Sequence, residues 1–393
     1  MSRGQEATTL SKKYFDQQSI DTRAVHAGRH PDPETGAVAM PLHTSTTFER
    51  DADGGYARGY QYGRVDNPTR HALETCLAEL ENGSTAIAFP SGTAAANAVF
   101  HALQPGDHVL LSQDIYHGTK TLVQEIIEPL GIGATFTDFS DLATVKAETR
   151  SSTRLLWLET PSNPLLKIAD IGAISSLAQT VGARTVVDNT FATPVLQQPL
   201  ALGCDLVMYS TTKFFGGHHD LTGGAVIAAR HDDFLQRVRT FQSSGGVVPS
   251  PFDCWLLLRS ISTLPLRVRA QSATAEHVAM FLADHPAVEA VYYPGLKQHP
   301  QHVLARKQMR GFGAVLSFLV KGNHDQTLQV AAQTKLFTRA TSLGGVESLI
   351  EHRASIEGEQ SLAPPNLLRL SIGLENAEEL QSDLNQALNK VIN

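Results

Sequence analysis

The sequence predicts an α/β fold with a large domain, in which helices cover a mostly parallel sheet, and a smaller C-terminal α+β domain. Its 393 residues, 42% of them hydrophobic, suffice for two or more domains. Short β-type runs alternate with helical runs from Asn67 onward, which is typical of a parallel sheet covered on both faces. Near Phe252 this alternation gives way to a long helical run followed by several strand candidates.

The large domain is assigned to residues 64–254, after an N-terminal arm of residues 1–63 that is rich in Gly, Pro, Thr and His and shows little periodicity. It opens with the helical run "PTRHALETCLAELEN". The β-type runs that follow are "TAIAFP", "HVLLS", "LLWLE", "RTVVDN" and "DLVMYS". Before the fourth of them, "IADIGAISSLAQTVGA" repeats apolar residues at helical spacing. Sheets of this kind bind ligands at the carboxyl ends of their strands.

The small domain is assigned to residues 255–393. The run "WLLLRSISTLPLRVRAQSATAEHVAMFLADH" predicts a long helix with an interruption marked by proline. The runs "AVEAVYY", "GAVLSFLV" and "LLRLSIGLE" predict strands. A last helix carries an apolar stripe of Leu380, Leu384, Leu388 and Val391, which is most simply explained by core packing.

Composition excludes several classes of protein. The net charge of -7, with 32 basic and 39 acidic residues, leaves no basic excess to bind nucleic acid. Three widely spaced cysteines predict neither a disulfide framework nor a cysteine zinc site. No run reaches the roughly 18 apolar residues of a membrane span, and the polar N-terminus lacks the apolar core of a signal peptide. We therefore expect a cytoplasmic protein that binds no membrane.

Candidate site residues follow three of the predicted strands. Asp188 ends the run "TVVD", and Lys213 lies just beyond "DLVMYSTT", so a single crossover would bring both to the same sheet edge. Upstream, Ser91, Gly92 and Thr93 stand between a strand and an Ala-rich helix, where free N–H groups and the helix dipole favour an anion. The hydroxyls of Ser210 and Thr212 could add donors to this phosphate site.

A phosphate site, a carboxylate and an amine at one edge match the needs of pyridoxal 5'-phosphate (PLP). Lys213 could form a Schiff base with the cofactor aldehyde, and Asp188 could keep the pyridine nitrogen protonated. Tyr116, in "SQDIYHGT", could supply an aromatic ring to lie against the cofactor.

Several motifs then occur in an order that resembles the Cys/Met-metabolism (trans-sulfuration) family of PLP-dependent enzymes, of the cystathionine γ-synthase and γ-lyase type. They include "YGRVDNPTR", "FPSGTAAANAV", "ETPSNPLLKIADI", "VVDNTFATP", "YSTTKFFGGHHDLTGG", "SLGGVESLIEHRA" and "LLRLSIGLE". The match covers nearly the whole chain. It implies PLP fold type I, similar to aspartate aminotransferase, with the cofactor as an aldimine on Lys213.

The resemblance also implies roles for further residues. Tyr116 would stack on the ring and assist elimination, Asn163 and Thr190 would contact the ring or substrate, and Ser342 would help to position Lys213 or the substrate carboxylate. Arg369 would clamp the α-carboxylate, a task that suits a planar guanidinium. Tyr62 and Arg64 would reach a neighbouring subunit's phosphate, which implies a homo-oligomer, with a homotetramer the usual assembly.

The reaction implied is γ-elimination or γ-replacement on a sulfur-containing or O-acylated homoserine-type amino acid. A β-lyase, a methionine γ-lyase or an O-acylhomoserine sulfhydrylase of the same family are the alternatives. The chain departs from the family pattern at Thr121, where an arginine is usual, at Thr341 before "SLGG", and at Arg353 in "HRASIEGEQ". Gly118 replaces the cysteine of methionine γ-lyases.

Other interpretations are open for single residues and for the whole chain. A lysine after a strand is commonly solvated, "DN" often forms a turn, and an arginine such as Arg369 can be a surface ion-pair partner. A P-loop phosphotransferase is disfavoured because the glycines follow Lys213. A cofactor-binding protein without catalysis is the remaining alternative. The cluster His218, His219 and Asp220 predicts no metal site, because adjacent residues of a strand point to opposite faces.

Overall fold

The chain folds around two β-sheets of different size. The computed structural model describes residues 18–358, 361 and 363–392, so the first 17 residues of the predicted arm lie outside the described residues. One sheet has seven strands within residues 85–228, and the other has five within residues 288–371. The α/β class, with a mostly parallel large sheet and a second sheet after it, is confirmed.

The large sheet has the strand order β1-β7-β6-β5-β4-β2-β3. Its strands are β1 (Thr85–Phe89), β2 (His108–Ser112), β3 (Gly133–Thr137), β4 (Thr153–Glu159), β5 (Arg184–Asp188), β6 (Leu206–Tyr209) and β7 (Gly224–Ala228). Strand β7 pairs antiparallel with both β1 and β6, whereas the pairs from β6 to β3 are parallel. The carboxyl ends of β4, β5 and β6 therefore meet at one edge.

Helices pack on both faces of this sheet because the strands are apolar on both sides. On β2, Leu110 belongs to one apolar cluster, whereas Val109 and Leu111 belong to the other. The helices in this part of the chain are α1 (Ile20–His26), α2 (Pro68–Glu81), α3 (Gly92–Phe100), α4 (His117–Leu122), α5 (Leu142–Glu148), α6 (Ile171–Thr180), α7 (Thr193–Leu196) and α8 (Asp233–Ser244).

The predicted helix after Asn67 shows how local sequence sets an element. The Asn67 side chain accepts hydrogen bonds from the backbone N–H groups of Thr69 and Arg70, and Pro68 occupies the first turn, where its missing N–H is not needed. The helix ends at Asn82, which adopts the left-handed conformation with φ 56°. Its buried face includes Leu73 and Leu77.

The small sheet has the strand order β10-β11-β12-β9-β8. Its strands are β8 (Val288–Tyr292), β9 (Val315–Val320), β10 (Thr338–Arg339), β11 (Leu349–His352) and β12 (Leu367–Ser371). The helices of this region are α9 (Pro251–Ile261), α10 (Leu264–Ala283), α11 (His302–Gln308), α12 (His324–Gln333), α13 (Arg353–Glu357) and α14 (Ala377–Ile392). The long helical run is divided before Pro265, as its sequence predicts. Leu380, Leu384 and Leu388 of α14 are fully buried.

Helix α1 lies in the segment that the sequence assigned to an arm with little periodicity. Residues 20–26 of the predicted arm form α1, which is capped by Ser19 and buries Ile20 and Ala24. The Arg23 guanidinium donates a hydrogen bond to the Glu79 carbonyl oxygen at 3.0 Å, which ties α1 to α2. Seven residues are too few to show a helical period against a Gly- and Pro-rich background, and tertiary contacts stabilise the helix instead.

The two sheets meet through polar contacts. Ser317 of β9 donates a hydrogen bond to the Pro164 carbonyl oxygen at 2.7 Å, in the loop that follows β4. Arg369 of β12 contacts Asn163 in the same loop. The central strands of the small sheet are thus placed over the carboxyl edge of the large one. None of the described helices is both long enough and apolar enough to cross a membrane.

Candidate active site

A cavity of about 240 Å³ lies between the carboxyl edge of the large sheet and the small sheet. Both sheets contribute to its walls. The lining residues are Ser91, Gly92, Thr93, Tyr116, Thr119, Glu159, Asn163, Asp188, Thr190, Phe191, Met208, Ser210, Thr212, Lys213, Thr341, Ser342, Leu343, Arg353 and Arg369. Most of the site residues predicted from the sequence are therefore brought together in one cavity.

Asp188 is the last residue of β5 and is buried. Its Oδ1 atom accepts hydrogen bonds from the Thr190 backbone N–H at 3.1 Å and from the Thr190 hydroxyl at 2.6 Å. Burial raises the pKa of the carboxyl group to about 6, although the hydrogen bonds from Thr190 and the charge of Lys213 act in the opposite direction. An added positive charge nearby would bring this pKa down and hold the group ionised.

Glu159 ends β4 in register with Asp188, so two buried carboxyl groups stand side by side. Its Oε2 atom accepts a hydrogen bond from the Tyr116 backbone N–H at 2.7 Å. Burial, and then the charge of Asp188, raises the pKa of Glu159 well above its usual range. Burial and the neighbouring Asp188 carboxylate thus both favour the neutral form of Glu159.

Lys213 lies in a turn four residues beyond β6. Its Nζ atom donates a hydrogen bond to the Ser342 hydroxyl at 2.7 Å. Burial, and then the charge of Arg369, lowers the pKa of the amine to about 8. A free, nucleophilic amine is consequently more abundant near neutral pH than it is for an ordinary lysine.

The N-terminus of α3 forms a close-packed anion cradle. The Ser91 hydroxyl caps the helix by accepting a hydrogen bond from the Ala94 N–H at 3.1 Å. A side chain at Gly92 would place its Cβ atom 2.8 Å from the Ser210 Cβ, so only glycine fits between the helix and the loop after β6. The first N–H groups of a helix lack intrahelical partners. Together with the hydroxyl of Thr93 they suit a phosphate, whereas the Thr212 hydroxyl bonds to the backbone of Gly223.

Arg369 occupies the middle of β12 and is only 2% exposed, which excludes a surface ion pair. Its Nη1 atom donates to the Asn163 Oδ1 at 3.0 Å, and its Nη2 atom donates to the Ser342 carbonyl oxygen at 2.9 Å. Nη2 also pairs with Glu351 of β11. Burial lowers the pKa of the guanidinium to about 10, so it is charged at neutral pH.

Tyr116 precedes α4 and is half-exposed at the mouth of the cavity. Gly118 lies directly beneath its ring, and a Cβ atom at Gly118 would be 2.4 Å from the Tyr116 Cε1. The position of the ring therefore depends on the absence of a side chain at residue 118.

Tyr62 and Arg64 do not line the cavity. The Arg64 guanidinium lies 5.8 Å from the centroid of the Tyr62 ring, and its Nη1 atom donates to the Ser243 carbonyl oxygen at 2.6 Å. Tyr62 is 44% exposed. The structure thus brings these two residues together but places them outside this chain's own cavity.

Two residues with clear contacts in the site were not predicted. Glu159 ends β4 as Asp188 ends the next strand, so the reasoning applied to Asp188 could have found it. Glu351 lies opposite Arg369 in the antiparallel pair of β11 and β12. Glu351 and Arg369 are brought together only by the register of β11 and β12, and no local sequence motif indicates this contact.

A lysine amine, a buried carboxyl group and a phosphate cradle around one cavity fit PLP and define a PLP-dependent enzyme of fold type I. Comparison with known proteins agrees. The family model described as Cys/Met metabolism PLP-dependent enzyme matches residues 21–389, and the chain belongs to that family.

Individual relatives are similar over nearly their whole length. Cystathionine gamma-synthase of Mycobacterium tuberculosis is 48% identical over 374 residues, which span 93% of this chain and 96% of the relative. Cystathionine gamma-lyase of Bacillus subtilis is 43% identical over 378 residues, which span 94% and 99%. The crystal structure of metB from Corynebacterium glutamicum is 42% identical, with a TM-score of 0.93 over 96% of this chain and 99% of the other.

The resemblance read from the sequence, the fold type and the cofactor are thereby confirmed. The protein is a PLP-dependent trans-sulfuration enzyme that acts on small-molecule amino-acid substrates. This excludes the phosphotransferase and the cofactor-binding protein without catalysis.

Proposed function

We propose that this enzyme catalyses γ-replacement on an O-acylated homoserine with the thiol of cysteine, as a cystathionine γ-synthase does. The observation that supports PLP-dependent chemistry on an amino acid is the convergence of Lys213, Asp188 and Arg369 on one cavity, and the choice of a synthase follows from similarity to relatives. Four relatives named cystathionine gamma-synthase are 47–48% identical to the chain, whereas the relatives named cystathionine beta-lyase or gamma-lyase are 42–43% identical.

Lys213 is proposed to hold the cofactor covalently and then to move protons between the α- and β-carbons of the substrate. When bound, PLP supplies an electron sink for the carbanion that forms when the α-proton is removed. The amine suits proton transfer because its pKa of about 8 is close to neutral pH. The Ser342 hydroxyl, 2.7 Å from Nζ, orients it.

Six further residues, in three kinds of contact, are proposed to hold the cofactor. Asp188, oriented by Thr190, keeps the pyridine nitrogen protonated. The phosphate is bound by the N–H groups and hydroxyls of Gly92, Thr93, Ser210 and Thr212 around the start of α3. Tyr116 covers one face of the ring and assists the departure of the γ-substituent.

Arg369 and Asn163 are proposed to orient the substrate through its α-carboxylate. The Asn163 Oδ1 fixes one nitrogen of the guanidinium, and the Ser342 carbonyl oxygen fixes the other. A planar donor held in this way suits bidentate recognition. Ser342 thus contacts both the amine that reacts and the arginine that positions the substrate.

The assembly is proposed to be a homotetramer in which Tyr62 and Arg64 reach the phosphate of a neighbouring subunit. Their position outside their own cavity and the exposure of Tyr62 support this. We also propose the division into an arm, a cofactor-binding domain of residues 64–254 and a small domain of residues 255–393, and a cytoplasmic location.

A substrate panel tests the proposed reaction. The purified, PLP-loaded protein is given O-succinylhomoserine or O-acetylhomoserine with cysteine, and separately cystathionine, methionine and cysteine alone, while cystathionine, keto acid and ammonia are measured. We expect cystathionine to form from the acylated homoserine. Keto acid and ammonia from cystathionine alone would instead show a lyase. If cysteine were turned over and none of the γ-substituted substrates were, the γ-mechanism would be excluded.

A further inference from the structure

Arg369 is the first member of a buried series of four charged side chains. Glu351 pairs with Arg369 and also with Arg353, whose Nη1 atom is 3.2 Å from the Glu351 Oε2. Arg353 pairs in turn with Glu357. The same oxygen, Oε2 of Glu351, is therefore shared by two guanidinium groups.

These groups are deeply buried yet incompletely paired. Arg369, Glu351 and Arg353 are 2%, 4% and 3% exposed. Among the described residues, Nε of both arginines and Oε1 of Glu351 have no hydrogen-bond partner. A buried polar atom without a partner is unfavourable by roughly 1–3 kcal/mol. Three such atoms in one cluster indicate an arrangement that is completed by another group.

An anion that binds Arg369 would compete with Glu351. Arg369 is the proposed ligand of the substrate α-carboxylate, but in this structure Glu351 already occupies its Nη2 atom. The two arginines and two glutamates of this series carry no net charge together. A substrate carboxylate would add a further negative charge beside Glu351, which is unfavourable in a buried site unless Glu351 moves away.

Arg353 offers the place to which Glu351 can move. It begins α13 directly after β11, lines the same cavity, and already contacts the Glu351 oxygen. The backbone of Glu351 is held opposite Arg369 in the antiparallel sheet, so only its side chain needs to rotate. The unpartnered Nε of Arg353 provides a donor for the unpartnered Oε1.

We propose that Glu351 is exchanged between two arginines: it pairs with Arg369 when no substrate is bound, and it pairs with Arg353 alone when a substrate α-carboxylate binds Arg369. Arg353 is thus a positioning residue for substrate binding. The inference rests on the proposed role of Arg369 and adds a mechanism by which carboxylate affinity is set.

The test measures carboxylate binding without turnover. The PLP-loaded enzyme is reduced with borohydride, which fixes the cofactor on Lys213, and the fluorescence of the reduced cofactor is followed while butanoate or neutral butanamide is added. We expect Glu351→Gln to lower the Kd for butanoate about tenfold, since it removes the competing charge. We expect Arg353→Gln to raise it about tenfold, since Glu351 then stays on Arg369.

The double variant distinguishes the exchange from a structural role. With the competitor removed, Arg353→Gln no longer matters, so Glu351→Gln/Arg353→Gln should bind butanoate as tightly as Glu351→Gln. Glu357→Gln leaves Arg353 with Glu351 alone and should tighten binding by a few fold. Arg184→Gln, which breaks an ion pair with Asp232 at the opposite end of β5, is the control and should change nothing.

Each outcome decides between hypotheses. If Arg369→Gln binds butanoate as the parent does, the proposed role of Arg369 is wrong. If Arg369→Gln abolishes binding but Glu351→Gln weakens it or leaves it unchanged, the exchange is wrong and Glu351 only supports Arg369. Should Arg353→Gln not fold, Arg353→Lys replaces it. The lysine keeps the positive charge but lacks the planar, bidentate geometry of a guanidinium group. Butanoate binding that is a few fold weaker than in the parent would support the proposal, and unchanged binding would overturn it.

Discussion

The two sheets contribute different kinds of ionisable group to the same cavity. The large sheet and the turn after it provide Glu159, Asp188 and Lys213. Burial raises the pKa of the two carboxyl groups and lowers the pKa of the amine, so it favours the neutral form of each group. The small sheet provides Arg369, which forms buried ion pairs together with Glu351 and Arg353. Groups that can gain or lose a proton near neutral pH suit chemistry, whereas fixed charges suit binding and orientation. Variants of the large sheet should therefore affect kcat, and variants of the small sheet should affect KM.

Lys213→Ala should have the largest effect. It removes the amine that we expect to carry the cofactor and to transfer protons, so kcat should fall by at least about 10³-fold. The visible absorbance of a covalently attached cofactor should disappear, and borohydride should no longer fix the cofactor to the protein. A variant that keeps full turnover, or that remains bonded to its cofactor through an imine, would refute the role of Lys213.

Asp188→Asn should come next. Without a negative charge at the end of β5, the pyridine nitrogen would lose the group that keeps it protonated, and kcat should fall roughly 10²–10³-fold. KM should change far less. Steady-state kinetics decide this, with Thr190→Val as a milder companion that removes only the hydroxyl bond to Asp188. A rise in KM with unchanged kcat would place Asp188 in substrate binding instead.

Arg369→Lys should show whether the small sheet acts in substrate binding and not in the chemical step. A lysine keeps the charge but loses bidentate geometry, so KM should rise about 30- to 100-fold while kcat changes little. An amine inhibitor that lacks the α-carboxylate should bind the variant and the parent equally. A fall in kcat as large as that of Asp188→Asn would show that the division between chemistry and binding is wrong.

Charge from the small sheet should tune the amine of the large one. Since the charge of Arg369 helps to lower the pKa of Lys213 to about 8, Arg369→Gln should raise that pKa. In the parent apoprotein the rate of cofactor attachment should increase with pH with a midpoint near pH 8, because only the unprotonated amine reacts. This midpoint should move to higher pH in the variant. A midpoint that moves to lower pH would contradict this coupling.

Gly118→Ala should have the smallest effect on activity. The new methyl group would lie 2.4 Å from the Tyr116 ring and would push the ring from its place, so kcat should fall about tenfold. Stability should change little because residue 118 lies in the short helix α4 at the mouth of the cavity. Circular dichroism melting and kinetics together check this, and Thr121→Ala on the same helix is the control.

Sequence reasoning was most successful for the large sheet. Its strands are short apolar runs separated by strong helical patterns, and the carboxyl end of each parallel strand lies at the same edge. Asp188 and Lys213 could be placed together on that ground alone. The same reasoning was not applied to Glu159, although it ends the adjacent strand in register with Asp188.

Helix α1 and the partners of Arg369 were less accessible to such reasoning. Helix α1 has only seven residues and is stabilised by its contacts with α2. The resemblance to a known family indicated Arg369, but not Glu351 or its link to Arg353. Those contacts depend on antiparallel register between segments with no regular local pattern.

The sequence by itself determined the fold class, the family, the cofactor and the residues expected to carry the chemistry, because periodicity and motif order are local properties of the chain. The tertiary structure decided which carboxyl groups are buried side by side, how far the amine and acid are shifted towards neutrality, and which charges share Glu351. Those properties depend on burial and on distances between segments remote in the chain, and only the packing of one sheet over the edge of the other creates them.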